Sequence, residues 1–176
     1  ALAAAAVGLC LGLEPEEIAE GLRTFTPTGM RTEIKRYGGV TLLDDTYNAS
    51  PVSTVAALGL LRELAAGGRS VAVLGEMLEL GSYSEEGHRE VGRAAAEARV
   101  DLLLGVGPRA GIVVEEARAA GLPAASTAWA ADHEDALALL IPYLEAGDTV
   151  LVKGSRGTRM EVVVEGIARA LGGRSP

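Results

Sequence analysis

The spacing of apolar and polar residues divides the 176-residue chain into a helical opening, a hairpin and a long alternating stretch. Ala1–Leu11 is rich in Ala and Leu and reads as a buried helix stopped by Gly12. Pro15, Glu16 and Glu17 open a second short helix through about Arg23. Proline suits a first helical turn, and acidic side chains there complement the positive end of the helix dipole. Thr26-Pro27-Thr28-Gly29 excludes regular structure and predicts a domain boundary, with residues 1–26 on one side and 27–176 on the other. Thr32–Tyr37 and Val40–Leu43 then flank Gly38-Gly39, a two-residue hairpin turn. Beyond it the periodicity alternates, with strands expected over 70–74, 100–104, 124–127 and 148–152 and helices over 52–66, 84–98, 108–120, 133–144 and 159–171. Apolar runs such as Val71-Ala72-Val73-Leu74 and Val150-Leu151-Val152 read as strands buried on both faces. That predicts an α/β fold of the doubly wound class, a mostly parallel sheet with helices on both faces, preceded by the hairpin.

Composition narrows the picture. Hydrophobic residues make up 48% of the chain, enough for a core without disulfides, and the lone Cys10 reads as a small buried hydrophobe in a reduced, cytoplasmic protein. A net charge of −8 argues against nucleic acid as a partner, although a few gathered cations or helix N-termini can still hold an anion. Lys35 and Lys153 are the only lysines, Asn48 is the only asparagine, and glutamine is absent. Few amides suit a heat-adapted protein, and a GC-rich genome produces the same bias. The apolar Ala1–Leu13 is too short to span a bilayer and lacks the basic flank of a signal peptide, so it reads as the cut end of a longer chain.

In open α/β sheets ligands bind at the carboxyl ends of strands, so the loops there carry the candidate chemistry. The loop Asp44-Asp45-Thr46-Tyr47-Asn48-Ala49-Ser50-Pro51 holds two carboxylates, a phenol and the only carboxamide. Asp45 can accept from a ribose hydroxyl pair and Asn48 can both donate to and accept from a peptide-like backbone. The same loop also reads as a plain turn in which Ser50 caps a helix. Gly75-Glu76-Met77-Leu78-Glu79-Leu80-Gly81 carries apolar side chains that have no place on a loop unless they dock on something. Ser84 is expected to cap the next helix, and His88, one turn in, reads most simply as a surface histidine. Lys153-Gly154-Ser155-Arg156-Gly157-Thr158-Arg159 suits a phosphate or carboxylate, or is a solvated basic loop. Gly105-Val106-Gly107-Pro108-Arg109-Ala110 matches the glycine pattern of a dinucleotide site, but Ser126-Thr127-Ala128-Trp129 offers no acid where the next strand is expected to end. Trp129 and Phe25 read as packing residues.

Taken together, Gly29-Met30-Arg31-Thr32-Glu33, Asp44–Pro51, Leu74–Gly81 and Lys153-Gly154-Ser155-Arg156 resemble, in order and spacing, the Rossmann-like C-terminal domain of the Mur ligases. The D-alanyl-D-alanine-adding branch is the most similar, although Asn-Ala-Asn-Pro is commoner in the family than Asn48-Ala49-Ser50-Pro51. Residues 1–23 resemble the last helices of the family's central ATPase domain. The resemblance implies a cytoplasmic step of peptidoglycan synthesis. ATP and magnesium would be used to activate the carboxylate of a UDP-linked muramoyl tripeptide, and D-alanyl-D-alanine would be the incoming amine. By position, Arg31 and Asp45 resemble nucleotide contacts, and Tyr47, Asn48, Lys153 and Ser155 resemble contacts to the amino substrate. Glu76 and Glu79 read as loop structure, and His88 matches a family position without a role. No complete catalytic set, Walker A loop or metal site is present, so the chain by itself is expected to be inactive and to depend on N-terminal and central domains. Two other readings remain: a stand-alone nucleotide-binding α/β protein with cofactor at Gly105–Ala110, and a non-catalytic interaction domain.

Overall fold

A computed structural model of the chain describes residues 2–25 and 29–172. In chain order the elements are α1 (Leu2–Cys10), α2 (Pro15–Thr24), β1 (Glu33–Tyr37), β2 (Val40–Asp45), α3 (Pro51–Leu64), β3 (Ser70–Gly75), α4 (Ser84–Ala98), β4 (Leu102–Val106), α5 (Ala110–Ala119), β5 (Thr127–Ala130), α6 (His133–Leu140), β6 (Thr149–Lys153) and α7 (Glu161–Leu171). The strands form one sheet in the order β1-β2-β6-β3-β4-β5. Among the described residues only the β1–β2 pair is antiparallel. Its turn, Gly38-Gly39, has φ of 56° and 81°, the positive values that a tight hairpin demands and glycine supplies without strain.

Side-chain alternation sorts the strands onto two cores. Leu42, Val71, Val73, Leu104, Val150 and Val152 face α6 and α7, while Leu43, Ala72, Leu74, Leu103 and Leu151 face α3, α4 and α5. Burial on both faces is why these strands read as unbroken apolar runs. β6 returns late in the chain and inserts between β2 and β3, with its flanking helices on the opposite face from those of its neighbours. The loops after β2 and β3 therefore leave the sheet on one side and the loop after β6 on the other. This opens a crevice at the carboxyl end of β6, the topological switch point.

The opposite, amino-terminal end of the central strands is tied by ionic contacts. Arg69, just before β3, donates from Nε and Nη2 to the two carboxylate oxygens of buried Asp148, both at 2.8 Å, just before β6. Its guanidinium also lies 4.5 Å over the Tyr143 ring. The Asp148 hydrogen bonds and charge outweigh burial and push the arginine pKa further up. On the helical face Gly92 lets α4 approach α5 closely, and Arg89 and Arg93 both donate to Glu116, lowering its carboxyl pKa.

Several expectations are corrected. α1 is exposed along most of its length and Cys10 is exposed, because a helix apolar on every side gives no periodicity to say what it faces. Phe25 is 68% exposed and is not a packing residue. Pro123 starts a short 3-10 turn over Ala124–Ser126, so β5 begins at Thr127 rather than at residue 124. Helix α6 ends at Leu140 rather than near 144. Tyr83, not Ser84, occupies the cap position of α4, and the buried Ser84 hydroxyl has no partner among the described residues. Ser50 does cap α3, exchanging hydrogen bonds with Ser53. Most of the expected linker, 26–28, lies outside the described residues. No helix among the described residues is long and apolar enough to cross a membrane.

Asp148→Ala removes both guanidinium bonds and the acceptor of the Glu145 N–H. It is expected to cost about 2–3 kcal/mol, the scale of hydrogen bonds to charged groups, read as a lower urea midpoint at unchanged m-value.

Candidate functional site

Register brings the expected residues together. Asp45 is paired with Lys153 across β2 and β6, and the side-chain alternation of both strands turns the two side chains toward the α3 face. Lys153 is 3% exposed. Its Nζ donates to Asp45 Oδ2 at 2.5 Å and to the Asn48 carbonyl at 2.8 Å. A buried ammonium requires such partners, so the pair ties the β2 loop to the β6 end. The other Asp45 oxygen accepts from the Thr32 backbone N–H at 3.0 Å and from the Thr32 hydroxyl at 3.4 Å.

Thr32 sits in a turn whose Met30 and Thr32 have φ of 65° and 51°, values that cost a β-branched residue energy and persist where surrounding contacts enforce them. The enforcing contacts are the Thr32–Asp45 bonds and a hydrogen bond from Tyr47 N to the Met30 carbonyl. This turn carries the Arg31 guanidinium to 4.0 Å over the Tyr47 ring. Stacking uses the face of the guanidinium and leaves its edge N–H donors available for an anion. On the other face of β2, buried Asp44 holds Lys35 at 2.7 Å and the Thr46 hydroxyl at 2.7 Å. Burial pulls the Lys35 pKa down, but its bonds and charge contacts with Asp44 and Glu33 outweigh that and raise it.

Two concavities meet at the Tyr47-Asn48 segment. The first, about 480 Å³, is lined at its polar end by Arg31, Asp45 and Lys153 and at its apolar end by Ala56, Ala57 and Leu60 of α3. The second, about 280 Å³, is lined by Leu78, Glu79, Ser155, Arg156 and Gly157. Tyr47 and Asn48 line both. The Asn48 side-chain oxygen accepts from Ala49 N at 2.9 Å, which leaves its NH2 group as donor. Ser155 is buried. Its hydroxyl accepts from Leu78 N at 2.8 Å and donates to the Ala49 carbonyl at 3.4 Å. The geometry thus groups Lys153 with Asp45 and Arg31, and Ser155 with the second concavity.

Close backbone approach explains the glycines. A Cβ at Gly154 would lie 2.6 Å from Met160 Cγ and 2.7 Å from Thr158 Oγ1, and one at Gly75 would lie 2.7 Å from Met160. Buried Met160 therefore fills the space between the ends of β3 and β6.

Sequence reasoning gave Thr32 and Arg156 no individual role, and nothing in the spacing announces the left-handed conformations of Thr32 (φ 51°) and Glu79 (φ 64°). It also misread His88, which is not on the surface but 0% exposed, and Trp129, which is about half exposed and donates from Nε1 to the Gly107 carbonyl at 2.8 Å. The dinucleotide reading is answered by Glu76 rather than by the absence of an acid. With β5 ending at Ala130, Asp132 follows closely, but it caps α6 through the N–H groups of Glu134 and Asp135. The Glu76 carboxylate accepts from Arg109 N at 3.1 Å and packs against Gly107. A protein carboxylate thus occupies the position a pyrophosphate would need.

The model of the family described as Mur ligase, glutamate ligase domain, matches residues 30–156. The chain belongs to the Mur ligases. This Mur ligase domain is similar to the UDP-N-acetylmuramoyl-tripeptide–D-alanyl-D-alanine ligase of Bacillus subtilis, 35% identical over 166 residues that cover 94% of this chain and 36% of the relative. With the ligase of the same name from Escherichia coli the identity is 37%, covering 95% and 36%. Among solved structures, MurF from Acinetobacter baumannii superposes with a TM-score of 0.81 at 31% identity, covering 94% of this chain and 35% of that one. The MurF ligase from Thermotoga maritima in complex with ADP gives 0.76 at 28%, covering 97% and 37%. The Mur ligase domain therefore spans about a third of the length of the curated relatives it matches.

Because Lys153 is the more deeply buried of its pair, the two deletions are not equivalent. Asp45→Ala leaves the ammonium with the Asn48 carbonyl alone and is expected to cost about 3 kcal/mol. Lys153→Met leaves Asp45 with its Thr32 bonds and is expected to cost about 1 kcal/mol. Urea unfolding of the two variants side by side checks the order.

Proposed function

We propose that this domain is the amino-substrate-binding part of an ATP-dependent ligase that joins D-alanyl-D-alanine to a UDP-N-acetylmuramoyl tripeptide in cytoplasmic peptidoglycan synthesis. The observation that carries the reading is the Lys153–Asp45–Asn48 junction standing between two concavities of different chemistry. Support comes also from the names shared by the relatives and from the ADP in the Thermotoga maritima structure.

In this reading the first concavity meets the nucleotide. Arg31 supplies N–H donors for phosphate oxygens, and Asp45 offers a carboxylate to the ribose hydroxyls while Lys153 limits its charge. The second concavity takes the dipeptide, a zwitterion. Arg156 complements its carboxylate, and Glu79 its ammonium before the proton is lost. Tyr47 and the Asn48 NH2 group form the wall between nucleotide and dipeptide. Ser155 contributes by holding that wall, since its hydroxyl is already engaged on both sides. The γ-phosphoryl group passes to the tripeptide carboxylate, the dipeptide amine attacks the acyl phosphate carbonyl, and phosphate leaves. This domain's part is to orient the amine and shield the acyl phosphate from water. In this reading magnesium accompanies ATP in the central domain of the intact ligase.

The division at residues 26 and 27 belongs to the same proposal: the exposed apolar side chains of α1, among them Leu2, Val7 and Leu9, suit packing against an upstream ATPase domain. In the intact ligase Arg31→Ala is expected to raise KM for ATP about tenfold, and Arg156→Ala to raise KM for the dipeptide about tenfold, each sparing the other substrate. Steady-state kinetics with one substrate varied at a time checks both, and a common loss for both substrates would reject the two-pocket reading. The 176-residue chain alone is expected to form no amide bond in a turnover assay.

A further inference from the structure

His88 has no part in the chemistry above, yet it is fully buried and both of its nitrogens are in use. Nδ1 lies 2.6 Å from the Ser84 carbonyl oxygen, one turn earlier in α4, and a carbonyl can only accept. Nε2 lies 3.1 Å from the backbone N of Met77, which can only donate. The two contacts together require a neutral imidazole with its proton on Nδ1. A second proton on Nε2 would set two donors against each other.

What His88 holds leads to the second concavity. Met77 is buried against α3, with its sulfur 3.8 Å from the Thr54 hydroxyl. The next amide, Leu78 N, donates to Ser155 Oγ at 2.8 Å. The preceding carbonyl, of Glu76, accepts from Ser155 N at 3.0 Å. Leu78 Cδ1 would lie 2.8 Å from a Cβ at Gly157. Glu79 follows in a left-handed conformation with φ 64°, which a non-glycine residue keeps only where its flanks are held. A continuous set of hydrogen bonds thus runs from the α4 imidazole through Met77 and Leu78 to Ser155. His88 itself lines neither concavity.

We propose that His88 is a positioning residue for the amino-substrate pocket: its Nε2 lone pair fixes the Met77–Leu80 segment and so sets where Leu78, Glu79 and Ser155 stand. The inference rests on the assignment of that pocket to the dipeptide. It is distinct from a packing role, because the two ring nitrogens do different work. Nδ1 ties the imidazole to its own helix, and Nε2 alone ties the helix to the loop.

The intact ligase carrying His88→Gln or His88→Asn tests this. A glutamine amide reaches the Nε2 position and can accept from Met77 N. An asparagine amide reaches the Nδ1 position, keeps the Ser84 bond and orphans the Met77 amide. His88→Asn is expected to raise KM for D-alanyl-D-alanine about tenfold while KM for ATP moves less than about twofold, and His88→Gln to return the dipeptide KM to within about threefold of the parent. Equal losses of thermal stability with an unchanged dipeptide KM in both variants would reduce His88 to packing and overturn the inference. Nitrogen NMR of the labelled imidazole in the parent ligase gives a readout independent of turnover: a proton on Nδ1 is expected, and a proton on Nε2 contradicts the proposed contact. Arg156→Ala measured in parallel separates the two levels. If it raises the dipeptide KM and His88→Asn does not, the positioning inference alone is overturned. If it leaves that KM unchanged, the pocket assignment falls and the inference falls with it.

Discussion

A lysine at the end of a central strand carries its charge into a place where water cannot solvate it, and the rest of the site is arranged around that constraint. Lys153 is satisfied by Asp45, which stands in register on the neighbouring strand, and by the carbonyl of Asn48. Asp45 in turn holds the Thr32 turn, which carries Arg31 onto Tyr47. Removing the charge pair would free three segments at once: the turn before β1, the loop after β2 and the end of β6. Buried ion pairs contribute little net stability against an apolar replacement, so their use lies in specifying one arrangement of the groups they join.

That arrangement requires the strand order. Asp45 and Lys153 are 108 positions apart, and they meet because β6 returns to lie between β2 and β3. The insertion sends adjacent loops to opposite faces of the sheet and leaves the crevice into which the polar side chains converge. The Arg69–Asp148 pair keeps β3 and β6 in the same relation at their amino-terminal ends. The close approach at Gly75 and Gly154 under Met160 does so at their ends. The sheet is thus held at both ends of the two strands that frame the site.

Part of the backbone strain lies in the segments around the two concavities. Met30, Thr32 and Glu79 adopt left-handed conformations without being glycine, and each sits beside one of the two concavities. The first two are held by Asp45 and Tyr47. Glu79 follows a segment pinned by Ser155 and by the His88 imidazole. Such conformations survive only where neighbouring contacts over-determine them, so the loops that line the site are pre-set rather than loose.

The sequence by itself determined the fold class, the hairpin turn, the capping of α3 by Ser50 and the loops in which chemistry would lie. Each of these depends on neighbours a few positions apart: apolar runs, paired glycines, or a serine before a proline. Only the tertiary structure decided which side chains are spent on the protein and which remain free for a ligand. Ser155 and His88 both read as available groups along the chain, yet both are buried and hydrogen-bonded, Ser155 to two other segments and His88 to its own helix and to the loop after β3. Glu76 read as loop filler, and across 33 positions it occupies the N–H group that a dinucleotide would have needed. Burial and hydrogen bonding between distant segments depend on how the strands are ordered, and no local pattern of residues encodes that order.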